Sequence, residues 1–182
     1  MLSCRSAAAC LALAALAALA ACAANTPTTS RAGANFGRAA TAQEVAAWDI
    51  SVPPSGEGLP SGSGNAKQGE AVYLAKCQSC HGAKGVGKPA DPLAGGAGSL
   101  ASANPVRTVG SFWPYATTLF DYTRRAMPVT NPMSLTNDEA YAVTAYVLYL
   151  NGIVGESDEM NARSLPQVKM PNRDGFVDWS RK

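Results

Sequence analysis

The clearest pattern of apolar and polar positions lies between residues 136 and 152. Four apolar residues are spaced three or four positions apart: Ala140, Val143, Val147 and Leu150. This spacing predicts one face of an amphipathic helix. The T-x-x-E sequence at 136–139 has the form of a capping box at the helix start, and Gly152 fits the position just after its end.

Three further helices are predicted from their start signals. A second T-x-x-E sequence predicts a short helix over 41–48. Asn65 fits the N-cap of a helix running toward residue 76, and Pro114 fits the first position of a helix running to residue 125. No segment alternates apolar and polar residues over several positions, so we predict an all-α fold.

Irregular segments divide the chain into five parts. Residues 1–21 form a candidate export signal, and 22–35 lack an apolar period and predict a flexible tether. Residues 36–64 are rich in proline and glycine and predict an irregular N-terminal arm. The predicted domain covers 65–152, and 153–182 form a polar C-terminal arm.

The N-terminal signal carries a candidate lipid attachment site. Arg5 precedes a small and apolar run over 7–21, which is short for a bilayer span of about 20 residues. The run ends in Leu-Ala-Ala-Cys at 19–22, which is similar to a bacterial lipobox. Cys22 would then be lipidated and hold a periplasmic protein to a membrane without a transmembrane helix. The alternative is ordinary Ala-x-Ala cleavage that leaves Cys22 as an incidental thiol.

The chemistry of the chain is concentrated at Cys77-Gln78-Ser79-Cys80-His81, a C-x-x-C-H motif. In this motif two thiols add to the two vinyl groups of a haem, and the following histidine is held against the iron. A thioredoxin-type dithiol does not need that histidine. A structural zinc site would lack a fourth ligand unless a carboxylate served. The motif therefore predicts one covalent haem c bound through Cys77, Cys80 and His81.

The second axial ligand of the iron must come from another residue type, because His81 is the only histidine. The same fact excludes a second haem with its own histidine. A methionine thioether favours Fe(II) and raises the reduction potential. The candidates are Met127, Met133, Met160 and Met170. Met127 is best placed, after a predicted helix and before a proline; Met133 is its rival, and core packing is the alternative role for either.

Charge gives little indication of a partner. The chain has 15 basic and 13 acidic residues, so the net charge is +2, or near +1 once Arg5 is removed with the signal. A nearly neutral chain gives no support for nucleic-acid binding and predicts no strong electrostatic steering.

The motif and its surroundings resemble class I c-type cytochromes. Gly69 and Tyr73 before the motif, Met127 followed by Pro128, and Tyr146 in the last helix match that family. The resemblance implies a small cytochrome c fold of three or more helices around the haem. It further implies that the first and last helices cross at the glycine and aromatic positions, and that Met127 closes the haem crevice.

A narrower resemblance covers more of the chain. Segments 113–122, 124–128, 149–152 and 170–176 are similar to the cytochrome subunits of molybdenum sulfite and sulfane dehydrogenases, as is 42–62. The resemblance implies a non-catalytic subunit in sulfur oxidation. It would accept single electrons from a molybdopterin subunit and pass them to another cytochrome c or a terminal oxidase.

Two other functions stay open at this point. One is a free-standing, membrane-tethered periplasmic cytochrome c of a respiratory chain, and the other is an enzyme with an open iron site. Large aromatic residues on the arms could dock a partner or wrap the chain's own domain: Phe36, Trp48, Phe176 and Trp179. Arg124 and Arg125 could bind a haem propionate, an acidic partner, or only water.

Overall fold

The computed structural model describes residues 37–177 and 179–181. The predicted signal at 1–21, the whole predicted tether at 22–35 with Cys22, and Phe36 lie outside the described residues. The chain separates into two compact units, Met1–Val45 and Ala46–Lys182. The five predicted segment boundaries are not tested by this division and stay predictions.

The secondary structure of the described residues is mainly helical. The α-helices are α1 Ala42–Trp48, α2 Ala66–Lys76, α3 Gln78–His81, α4 Val109–Phe112, α5 Ala116–Ala126 and α6 Asn137–Leu150. Short 3-10 turns lie at Ala83–Gly85, Ser99–Ala101, Leu165–Gln167 and Trp179–Arg181. Two strands, β1 Ser63–Gly64 and β2 Met160–Asn161, pair antiparallel with Gly64 opposite Met160. The all-α prediction is confirmed, and strands of two residues are too short to show alternation.

The predicted starts of α2 and α6 are confirmed in their side-chain contacts. Asn65 Oδ1 accepts from the Gln68 N–H at 3.1 Å, and Gln68 Oε1 accepts from the Asn65 N–H at 3.0 Å. Thr136 Oγ1 accepts from the Glu139 N–H at 3.2 Å, and Glu139 Oε2 accepts from the Thr136 N–H at 2.9 Å. Each pair satisfies two amides that the first helical turn leaves without partners.

The described part of the first unit contains the start of α1. Thr41 Oγ1 accepts from the Glu44 N–H at 3.2 Å, which confirms the predicted capping box. The Arg38 guanidinium pairs with Glu44 and, with the Thr41 amide, lowers the pKa of that carboxyl to about 2.

One local prediction is wrong, and one short helix was not predicted. Helix α5 begins at Ala116 after the N-cap Tyr115, so Pro114 lies before the cap rather than at the first helical position. Tyr115 is extended, with φ −139° and ψ 131°, and this places the helix start later. Helix α4 is not predicted because its capping pair is Thr108 with Ser111, which lacks the Glu or Gln of the usual signal.

The core is organised around the crossing of α2 and α6. A side-chain carbon at Gly69 would overlap the carbonyl oxygen of Ala142 and lie 2.8 Å from Cβ of Tyr146. The rings of Tyr73 and Tyr146 are 5.2 Å apart, and Tyr73 is fully buried. The predicted crossing at glycine and aromatic positions is therefore confirmed. It fixes the end of α2, where the C-x-x-C-H motif begins.

Both arms pack against the predicted domain. Val52 of the N-terminal arm is buried, and the Tyr141 hydroxyl donates to the Pro60 carbonyl at 2.9 Å. Among the described residues of the C-terminal arm, three are buried: Met160, Leu165 and Met170. The C-terminal arm is polar in composition, but these three apolar side chains attach it to the hydrophobic core. None of the helices within 37–177 or 179–181 is long and apolar enough to cross a membrane.

The described arm aromatics differ in their surroundings. Phe176 packs edge-on against Phe112 with ring centroids 5.2 Å apart, so it covers part of its own domain. Trp48 is 84% exposed and Trp179 is 71% exposed.

Candidate haem-binding site

The C-x-x-C-H motif forms a single helical turn. Cys77 ends α2, and Cys80 and His81 lie in α3. The His81 N–H donates to the Cys77 carbonyl at 3.0 Å, and the Cys80 N–H donates to it at 3.1 Å. Residues three and four positions apart lie on the same side of a helical turn. Both thiols are free and half-buried, so this turn offers two sulfur atoms and an imidazole together.

The imidazole of His81 is oriented by the backbone. Its Nδ1 lies 2.9 Å from the carbonyl oxygen of Asp91. A carbonyl can only accept, so Nδ1 carries a proton, and in the neutral ring the lone pair is then on Nε2. Metal-binding histidines typically have their second ring nitrogen engaged in this way. The tautomer of His81 therefore suits iron ligation through Nε2.

The loop that presents the Asp91 carbonyl is attached to the motif itself. The Gly87 N–H donates to the His81 carbonyl at 2.8 Å, and the Ala90 N–H donates to the Cys80 carbonyl at 2.9 Å. Gly87 has φ +91°, a conformation that favours glycine. These contacts fold the loop back over the turn that it follows.

Asn151, at the end of α6, holds the far side of this loop. Its Nδ2 donates to the carbonyls of Leu93 at 3.0 Å and Val147 at 2.8 Å, and its Oδ1 accepts from the Gly95 N–H at 3.1 Å. Neither Asn151 nor the Asp91 carbonyl is recognised from the sequence. A main-chain acceptor has no residue signature, and a lone asparagine after a helix is usually a simple cap.

The environment of the Cys77 thiol does not suit a reactive dithiol. Burial raises the pKa of the Cys77 thiol to about 11, although Lys76 acts in the opposite direction. A nucleophilic cysteine needs a lowered pKa. Within the part of the chain that the structure describes, no group of three or more histidine, cysteine and acidic side chains could hold a metal ion. The thioredoxin-type and zinc alternatives therefore lack support.

The four candidate methionines differ in environment. Met160 and Met170 are 4% and 3% exposed and belong to the hydrophobic core. Met133 is 61% exposed. Met127 is half-buried and caps the C-terminus of α5, where its N–H donates to the Thr123 carbonyl at 3.1 Å.

The two arginines before Met127 have contacts within the chain. Arg125 forms an ion pair with Asp121, with nitrogen and oxygen 2.5 Å apart. Arg124 Nη1 donates to the Ile50 carbonyl at 3.4 Å. Both arginines therefore have a structural role along α5, whatever else they bind.

The residues of the motif fit a covalent haem c. Two free thiols and an imidazole with a free Nε2 lone pair share one turn, which is the donor set that this group requires. No comparable donor set is present elsewhere in the described ranges, because His81 is the only histidine of the chain.

Comparisons with known proteins agree with this site. Residues 64–147 match the family model described as cytochrome C oxidase, cbb3-type, subunit III. A chain in the crystal structure of the sulfane dehydrogenase SoxCD from Paracoccus pantotrophus is 41% identical, with a TM-score of 0.76. The match covers 82% of this chain and 74% of that one. No curated protein sequence matches the chain. The chain therefore belongs to the c-type cytochromes, electron-transfer proteins with haem c, and resembles a component of a sulfur-oxidising enzyme complex.

Proposed function

We propose that this chain is a monohaem cytochrome that accepts single electrons from a molybdenum-containing sulfite or sulfane dehydrogenase. The observation that carries the proposal is the extent of the SoxCD match. It covers 82% of the chain, whereas the general cytochrome match is limited to residues 64–147. The likeness therefore includes more than a generic haem domain, as expected if the chain serves the same kind of complex.

The proposed haem is held by residues of α2, α3 and α5. Cys77 and Cys80 provide the thioether links, and Nε2 of His81 provides one axial ligand. Met127 is the second axial ligand. Met160 and Met170 are buried in the hydrophobic core, and Met133 is largely exposed to solvent. The haem supplies one-electron redox chemistry, and the thioether raises its potential, which suits an acceptor. The role is electron transfer and not catalysis.

Covalent attachment is tested with cysteine variants of the full chain expressed in a host that matures c-type cytochromes. Cys77→Ala and Cys80→Ala should each weaken haem staining after denaturing electrophoresis, and the double variant should abolish it. Undiminished staining of the double variant would exclude the motif as the attachment site.

The methionine assignment is tested by absorption spectroscopy. Ferric wild-type protein should show the long-wavelength thioether-to-iron charge-transfer band, and Met127→Ala should lose it. Met133→Ala is the matched control, because it removes an exposed methionine of the same loop. Loss of the band in Met133→Ala instead would assign the ligand to Met133.

The partner is tested by co-purification from a sulfur-oxidising cell. We expect a molybdenum protein that reduces this haem when sulfite or a sulfane-sulfur substrate is added. Reduction only by general respiratory donors would favour a free-standing carrier. Trp48→Ala and Trp179→Ala test whether the arms dock the partner, and unchanged complex formation by both would refute docking through them.

The proposal includes export and a lipid anchor at Cys22, followed by the tether over 22–35. Mass spectrometry of the mature protein should find a diacylglyceryl group on Cys22. Cys22→Ser should release the protein from the membrane fraction. An unmodified mature N-terminus beyond Cys22 would favour ordinary signal cleavage.

A further inference from the structure

A segment of the N-terminal arm lies along helix α5. We call residues 50–54 the strap. Three side chains of α5 contact it: Thr117, Asp121 and Arg124. These positions are four and three residues apart, so they lie on one face of the helix.

The contacts of the strap follow the spacing of that face. The carbonyl of Pro54 accepts from Thr117 Oγ1 at 3.2 Å, and the N–H of Val52 donates to Asp121 Oδ1 at 2.8 Å. The third contact joins the Ile50 carbonyl to Arg124. The contact residues are two positions apart in the strap and three or four positions apart in α5, and they are met in opposite chain order. The strap therefore meets α5 at every second residue and runs antiparallel to it.

Asp121 is the central contact of the strap. It is 8% exposed, and both its oxygens are used. Oδ1 accepts from Val52 and from Arg125 Nε at 2.9 Å, and Oδ2 accepts from Arg125 Nη2 at 2.5 Å. A buried carboxylate is costly unless it is paired and hydrogen-bonded. Removing Asp121 would therefore leave both the Val52 amide and the Arg125 guanidinium without this partner.

The position of Asp121 connects the strap to the methionine. Arg125 lies in the last turn of α5, and Met127 caps that turn. We infer that Asp121 is a positioning residue for Met127, which holds the end of α5 by fixing it to the strap. This inference rests on the proposed role of Met127 as axial ligand. The strap thereby limits how far the methionine can move away from the iron.

The test is a titration of ferric holoprotein with imidazole, which binds the iron only when the methionine has left. Asp121→Leu removes the contacts to both Val52 and Arg125. Because hydrogen bonds to a charged group are among the stronger ones in a protein, we expect imidazole to bind at least about tenfold more tightly to Asp121→Leu than to the wild type. Thr117→Val removes a weaker strap contact and should give a smaller increase. Asp121→Asn, which keeps an acceptor for Val52, provides an intermediate variant if Asp121→Leu does not fold.

Tyr141→Phe is the matched control. It also removes a hydrogen bond between the arm and the domain, but the lost hydroxyl belongs to α6 and bonds Pro60, outside the strap. The ring that packs against Phe120 of α5 is kept. We expect its imidazole affinity to equal that of the wild type, even if its unfolding temperature falls as in the Asp121 variants. The positioning role of Asp121 alone would be overturned by either of two results. One is an unchanged imidazole affinity in the Asp121 variants, and the other is an equal increase of that affinity in Tyr141→Phe. Absence of the thioether band from wild-type protein would overturn it together with the Met127 assignment.

Discussion

Replacing Gly69 by alanine tests the crossing of α2 and α6 directly. The added Cβ would overlap the carbonyl oxygen of Ala142 and lie 2.5 Å from its carbonyl carbon. Both atoms belong to the backbone of α6, so they cannot rotate away as a side chain could. The two helices must separate, and the contact between Tyr73 and Tyr146 must open with them.

The size of the effect follows from two opposing terms. Overpacking a core typically lowers the free energy of unfolding by about 1–3 kcal/mol. Because the contact here is with rigid backbone, we expect a cost of about 3 kcal/mol. Alanine is favoured over glycine within a helix by about 1 kcal/mol. We therefore expect Gly69→Ala to lower the free energy of unfolding by about 2 kcal/mol. For a unit of this size that corresponds to a fall of about 8 °C in Tm.

The assay is thermal unfolding of the holoprotein, followed by circular dichroism. Gly98→Ala serves as the control, because a Cβ there meets nothing within 4 Å but the residue has φ +74°. Its strain should cost roughly 1 kcal/mol. Gly69→Val should be worse than Gly69→Ala, whereas Gly98 has room for a larger side chain. A Gly69→Ala protein no less stable than Gly98→Ala would refute the close approach of the helices.

Three further substitutions test other contacts. Lys76 Nζ lies 2.6 Å from Glu139 Oε1 and is the main cause of the lowered pKa of Glu139. Such a carboxylate stabilises the fold above its ordinary pKa of 4.5, and the effect is lost as the pH falls through the lowered value. The stability difference between wild type and Lys76→Met, measured by urea unfolding, should therefore shrink toward acid pH; a constant difference would contradict this. Asn151→Ala, which loses three hydrogen bonds, should lower the free energy of unfolding in urea by about 3 kcal/mol, and a loss below about 1 kcal/mol would argue against its role in the loop. Asn65→Ala should cost about 1 kcal/mol in thermal unfolding through loss of the N-cap, and an unchanged Tm would show that the cap is dispensable.

Features determined by neighbouring residues were predictable from the sequence. The capping box that begins α6 involves residues three positions apart, so its pattern is visible in the sequence, as is the N-cap Asn65 of α2. The C-x-x-C-H motif is similarly local, and its spacing alone indicates haem attachment. Gly69 and Tyr73 required the family resemblance, because nothing nearby in sequence indicates that they face Ala142 and Tyr146.

Features determined by distant residues were not predictable. Val52 and Asp121 are 69 positions apart, and neither belongs to a motif that would connect them. The burial of Leu165 within a polar arm depends on the surface that it meets. The Asp91 carbonyl that orients His81 belongs to the main chain, so any residue at that position could supply it.

The short pairing of β1 with β2 has a consequence for the topology of the protein. It places residues 63–64, just before the predicted domain, beside residues 160–161, just after it. The chain between these strands therefore begins and ends at the same place, and the two ends of the haem domain are neighbours. Chains whose ends are close tolerate circular permutation at exposed sites. A short linker could therefore join the ends, with new termini opened in the exposed loop over 101–105, so that neither haem cysteine nor α6 is interrupted.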